Sequence, residues 1–321
     1  MIRMGAAGRL RPYRASCVGA VMLGPARPFI FAAFLLATPL GARRPPPPPP
    51  DLGTVTLDRM DPVVDATVAG VSAKLAVVLD QGVYLAPPFA EKVPLPWKPG
   101  GYEEVGRVRV PFRQAAGEVS IAGITTPRAL SVHDGPCCRG HDGAIGAAEL
   151  PWSVVRFGQE GGAGEQRFPA ENDAQSGLSV PWRVGRSTVH IVLAPDAPET
   201  LATASAAAVL AGTYGGHFEG QARQAVIAFG VNRQVRDMVL SRAAMPLGLR
   251  LDRVAVRLAD FEGSGKLPQE KADGGILVRH APPAPQHGWP ALILGRDLLG
   301  RCPVISVYRD EGAIGLVCKP A

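Results

Sequence analysis

Apolar positions in this 321-residue chain fall in short runs cut by glycine, which is the punctuation of strands and turns rather than of long helices. Ala66 to Val68, a turn at Ala69-Gly70, and the run Val71 to Leu79 leading into Asp80-Gln81-Gly82 predict two strands and a loop. A second segment, His217 to Gly230, repeats the pattern: strand, turn at Gly220, apolar strand Ala222 to Ala228, then Phe229-Gly230. A short helix is expected after each, over Pro88 to Leu95 and over Asp237 to Leu249. Each half then closes on an apolar pair followed by glycine, Ala144-Ile145-Gly146 and Ile293-Leu294-Gly295. A glycine there lets two backbones approach with no Cβ between them. A helical turn and a last strand follow in both, Ser153 to Phe157 and Val304 to Tyr308.

Four elements in the same order, twice over, resemble the lobe signature of retropepsin-like and pepsin-like aspartic peptidases. Leu294-Gly295-Arg296-Asp297-Leu298-Leu299 is similar to bacterial retropepsin-like members. The resemblance implies an all-β chain, mainly β with short helices, folded as two similar aspartic-peptidase-like β-barrel lobes with a cleft between them. The lobes are expected at 52–172 and 173–321, since the boundary region Pro169 to Ser179 is polar and turn-prone. The hairpin that covers the cleft is placed within Arg107 to Val132, with its turn near Ala115-Ala116-Gly117.

In this family one aspartate from each lobe shares a proton and a water; close like charges do not both ionise, so one acts as base and one as acid. Asp80 matches the family position in the first lobe and is the candidate catalytic residue. Gln81 stands where the family has Thr or Ser, and Gly82 keeps the glycine. In the second lobe Ala228-Phe229-Gly230 is matched to the Asp-Thr-Gly place, so the partner carboxylate is lost at Ala228 and Phe229 and Gly230 complete the cleft loops. Outside the repeat, Asp80 reads as an ordinary turn aspartate. Asp142 and Asp297 match structural positions, and Asp237 lies too far along to replace the missing group. The resemblance therefore implies a protein that binds a peptide or protein in its cleft without a complete dyad. The alternative is an active aspartic endopeptidase using Asp80 with another carboxylate, and a third reading is a scaffold tethered at the envelope. Enzyme status stays open.

Composition adds a compartment. The formal charge of +6 is misleading, because five arginines and no acid lie in the first 42 residues and the remainder carries +1. That leaves little net excess to build the basic stripe nucleic-acid binding needs. Residues 1–42 have the layout of a signal peptide: an Arg-bearing start, the apolar run Phe29 to Ala37, and small residues up to Gly41-Ala42. An uncleaved anchor, hence a membrane tether, is the alternative. Cys17 precedes the apolar run, which disfavours a lipoprotein. Residues 43–51, with prolines from Pro45 to Pro50, read as a stiff polyproline II spacer. The expected location is periplasmic or secreted.

Export favours oxidised sulfur. Cys302 and Cys318 flank a predicted hairpin, Val304 to Tyr308 and Ala313 to Val317, and are expected to form a disulfide across its open end. His133, Cys137, Cys138 and His141 have a spacing that soft metals use, but adjacent cysteines fit one tetrahedral ion poorly. No metal or cofactor is assigned, and Cys137 and Cys138 are left either bonded or unpaired. No Gly-x-Ser-x-Gly elbow occurs, and Gly263-Ser264-Gly265-Lys266 lacks the spacing of a phosphate loop.

Overall fold

The computed structural model describes residues 2–4, 52–79, 82–105, 108–159, 164–173, 177–258 and 290–319. Asp80, Gln81, nearly all of the leader, the proline spacer and the Gly263-to-Lys266 segment lie outside the described residues. In the first half the chain forms β1 (Ile2–Met4), β2 (Thr54–Leu57), β3 (Val63–Val68), β4 (Val71–Val78), β5 (Val83–Leu85), α1 (Pro87–Ala90), β6 (Lys98–Val105), β7 (Val108–Ile121), β8 (Ile124–His133), β9 (Gly143–Gly146) and β10 (Val154–Phe157). The second half forms β11 (Gln166–Pro169), β12 (Glu171–Asp173), β13 (Gly177–Val184), β14 (Ser187–Leu193), β15 (Leu201–Ala202), α2 (Ala204–Tyr214), β16 (Gly216–Ala228), β17 (Val231–Ala244), β18 (Leu251–Arg257), β19 (Ala291–Leu294), α3 (Arg296–Leu299), β20 (Val304–Tyr308) and β21 (Ala313–Val317). The chain is mainly β with short helices, as the glycine-cut apolar runs predict. Among the described residues no helix is long and apolar enough to cross a membrane.

The first half is a closed six-stranded barrel in the order β7-β3-β4-β9-β5-β8, with β8 returning to β7. Strand alternation sends Leu75, Val77, Leu85, Leu130 and Ile145 into its core. Two β4 residues of the other parity, Ala76 and Val78, pack in a small separate cluster instead. Gly143 allows closure: a Cβ there would sit 2.5 Å from the Tyr84 carbonyl oxygen.

The second half repeats this connectivity in an open sheet. β4 runs parallel to β9, and β5 lies antiparallel to β9 and parallel to β8. Likewise β14 runs parallel to β19, and β15 lies antiparallel to β19 and parallel to β18. Thr203 caps α2 by accepting from the Ala206 amide, and Ala206, Ala207 and Leu210 of that helix are buried. Both halves contribute to a third sheet, β11-β21-β20-β10-β2. Its centre is the antiparallel pair β10–β20, Val154 opposite Tyr308 and Phe157 opposite Ile305.

Several expectations shift register. The second copy of the repeat is β13–β14, not His217 to Gly230. The latter spans β16 and the tip of a long hairpin with β17, Ala228 opposite Val231. The helix expected over 237–249 is largely β17, whereas α2, an alanine-rich stretch, was not anticipated. The turn expected at 115–117 lies at Ala122-Gly123, where both central residues have positive φ, as a two-residue hairpin turn demands. The first short helix is found as α1, and the last hairpin forms as expected.

Cys302 and Cys318 are bonded and close the β20–β21 hairpin. Replacing both by alanine is expected to lower unfolding free energy by about 3 kcal/mol, for a loop of this size. Urea denaturation under oxidising conditions measures it, as a lowered midpoint.

Candidate functional site

Matched topology identifies the matched loops. In the first half β4 leads through Leu79 to Gly82 into β5; in the second, β14 leads through 194–200 into β15. Ala194-Pro195-Asp196-Ala197-Pro198-Glu199-Thr200, not Ala228-Phe229-Gly230, is thus the second-half counterpart of the Asp80 loop. The sequence carried a signal for it. Gly185-Arg186 is a two-residue turn in the place of Ala69-Gly70, and the largely apolar run Val189 to Leu193 ends shortly before Asp196.

The counterpart loop is pinned from within. Thr200 Oγ1 donates to Asp297 Oδ1 at 2.7 Å and accepts from the Gly295 amide at 3.0 Å. The Arg296 amide donates to the Ala197 carbonyl at 2.8 Å. Gly295 is required here, since its Cβ would come 2.3 Å from the Glu199 carbonyl group. Asp297 therefore has the structural role expected of it.

Both carboxylates of the loop face arginines. Glu199 accepts two hydrogen bonds from Arg223, whose other partner is Asp237 at 3.1 Å. The hydrogen bonds from Arg223 to Glu199 are the leading reason its guanidinium is raised above its ordinary pKa. Asp196 Oδ2 lies 3.4 Å from Arg139, which comes from the first half. Burial lowers the Arg139 guanidinium from its ordinary value, Asp61 opposes that shift and Arg296 adds to it. Asp196 is half-exposed, so solvent screens its field on Arg139 despite the short contact.

The tip of the β16–β17 hairpin also reaches the first half. Phe229 (φ +49°) and Gly230 (φ +73°) fill its two turn positions. Left-handed backbone costs a non-glycine residue about 1–2 kcal/mol, so turn chemistry does not explain a phenylalanine there. Its packing does. The Phe229 ring stacks on His133 with centroids 4.1 Å apart and meets Tyr84 edge-on at 6.1 Å. It joins a small cluster of Ala76, Val78, Tyr84, Ala86, Cys137, Cys138 and Ala144 on the first half. Gly135 and Gly230 permit the approach; a Cβ on Gly135 would lie 2.2 Å from the Phe229 carbonyl oxygen, and one on Gly230 2.8 Å from the Pro136 ring.

Beneath Phe229, His133 is almost completely buried and its Nε2 lies 3.2 Å from Glu103 Oε1, equally buried. The two groups approach without hydrogen-bond alignment, and Glu103 Oε2 and His133 Nδ1 find no hydrogen-bond partner among the described residues. The His-Cys-Cys-His spacing does not converge on a metal. Cys137 and Cys138 are bonded to each other, and His141 instead contacts Asp61 at 2.8 Å. Among the described residues no group of His, Cys, Asp and Glu is arranged to hold an ion. Of the sequence-derived site residues, Gly82 lies beside the Tyr84 ring, Phe229 and Gly230 form the hairpin tip, Ala228 pairs at its base, and Asp80 and Gln81 are outside the described residues.

No family model matches the sequence, and no curated protein matches it. Among solved structures, EIAV protease complexed with the inhibitor HBY-793 aligns at a TM-score of 0.23 and 11% identity, covering 27% of this chain and 81% of that one. A likeness that low adds nothing to the reading of the site.

Gly135→Ala and Phe229→Ala act on one contact. Each is expected to cost about 1–2 kcal/mol, and the double variant less than their sum. Urea midpoints of the four proteins test this.

Proposed function

We propose that the chain is an exported, aspartic-peptidase-like protein that lacks a working dyad and holds an extended peptide or protein segment between its halves. One observation carries the reading: each carboxylate on the counterpart loop, Asp196 and Glu199, faces a guanidinium. A dyad works because two neighbouring carboxylates share one proton between them, and a carboxylate engaged by a guanidinium is turned to that partner instead of to a second carboxylate. Gln81, in place of a small hydroxyl, and the two prolines of the counterpart loop depart further from the family pattern. Support for a polypeptide ligand comes from the β16–β17 tip, since an extended hairpin of this same chain already seats a side chain against Tyr84 and His133. Export, and a membrane tether if the leader is retained, rest on the leader's layout.

A second reading is favoured by the position of Asp196: on the counterpart loop, it is the carboxylate that an active endopeptidase would pair with Asp80. The two readings separate in one assay. The protein is incubated with denatured substrate at acid pH, with and without a transition-state-mimicking aspartic-peptidase inhibitor. Non-catalytic function predicts no inhibitor-sensitive cleavage and no change in Asp80→Asn or Asp196→Asn. Inhibitor-sensitive cleavage abolished by either substitution would establish the peptidase instead.

A further inference from the structure

The first-half segment 134–141 holds two of the contacts that the second half makes around the hairpin tip. Gly135 and Pro136 meet the hairpin tip, and Arg139 meets Asp196. Between them lies a disulfide joining sequence neighbours, Cys137 and Cys138. The backbone that follows is unusual: Cys138, Arg139 and Gly140 have φ of +68°, +50° and +84° in succession. L-residues adopt that conformation singly and reluctantly. A bond between adjacent cysteines closes a small ring and fixes the backbone where two non-glycine residues would otherwise leave it. The ring also packs on the cluster that receives Phe229, with Cys138 buried and Cys137 partly exposed.

We propose that Cys137–Cys138 is a reducible latch that holds the β16–β17 tip on the first half, and that its substrate is an external dithiol. Cys137, the partly exposed member of the pair, is the point of attack. A dithiol thiolate bonds to it, the Cys137–Cys138 bond breaks, and Cys138 leaves as a thiolate next in sequence to Arg139 and takes a proton. The second thiolate of the reductant then attacks the mixed disulfide and releases Cys137. The pair gains two electrons and two protons while the reductant becomes a disulfide. With the ring open, 138–139 relax toward ordinary φ, Arg139 leaves Asp196, and Pro136 and Cys137 no longer support Phe229. His133, buried under that ring, becomes accessible. The latch is independent of whether the covered face binds a peptide.

The experiment treats the folded full chain with graded dithiol, maps alkylated cysteines, and follows amide exchange at 226–231 together with carbethoxylation of His133. Alkylation at Cys137 and Cys138 before Cys302 and Cys318, about tenfold or greater acceleration of exchange at 226–231, and a newly reactive His133 are expected, with β3 and β4 unchanged. Cys137→Ser/Cys138→Ser, which keeps Cys302–Cys318, should behave as the reduced protein without dithiol. The latch is overturned if an alkylated pair leaves exchange at 226–231 and His133 reactivity unchanged, or if the pair opens only on global unfolding. Should the double variant fail to fold, the titration of the native protein decides alone.

Discussion

Everything described here hangs on the pairing of β10 with β20. Each follows the helical turn after the glycine strand of its half, and their antiparallel register, with Val155 opposite Val307, joins the two halves in one sheet. Val155, Ile305 and Val307 are essentially solvent-free, so the junction is a core rather than a surface contact. An antiparallel pair carries a local two-fold. The same connectivity is repeated on either side of it, β4–β9–β5–β8 in the first half and β14–β19–β15–β18 in the second. The Cys302–Cys318 bond fastens the outer hairpin of this sheet, while β2 and β11 extend it at either edge.

Given that junction, each half contributes a different kind of element to the site. The first supplies a barrel wall bearing Tyr84 and His133 and the disulfide-closed segment behind it. The second supplies a pinned loop whose carboxylates are engaged, and a hairpin long enough to cross over. The contacts between them are modest taken singly: an aromatic stack, a screened ion pair, two glycine-permitted close approaches. Such contacts are individually worth about 1 kcal/mol. They therefore suit an arrangement that can open more readily than the shared sheet, which buries large aliphatic side chains.

The architecture was legible because its signals are local and periodic. Short apolar runs gave the strands, the closing glycines marked β9 and α3, and cysteines at the ends of a hairpin gave the bond. What failed was register at long range. β16 with Phe229-Gly230 offers the same one-dimensional pattern as β14 with its loop, and period-two alternation cannot distinguish them. Pairing partners do: β14 pairs with β19, and β16, among the described strands, pairs with β17 alone. Matching the lost partner to Ala228 passes over Asp196 and Glu199. The Tyr84–His133–Glu103 group was illegible for another reason, since its members come from β5, β8 and β6, strands separated in the chain that come together only in the folded sheet.

The claim that no dyad exists is a claim about where two carboxylates stand. A crystal structure resolving 79–82, at the acid pH where aspartic peptidases work, tests it most directly. The account predicts that Asp196 remains on Arg139, Glu199 on Arg223, and no carboxylate within about 3.2 Å of Asp80. Asp80 and Asp196 sharing a hydrogen bond, with Arg139 displaced, would contradict it.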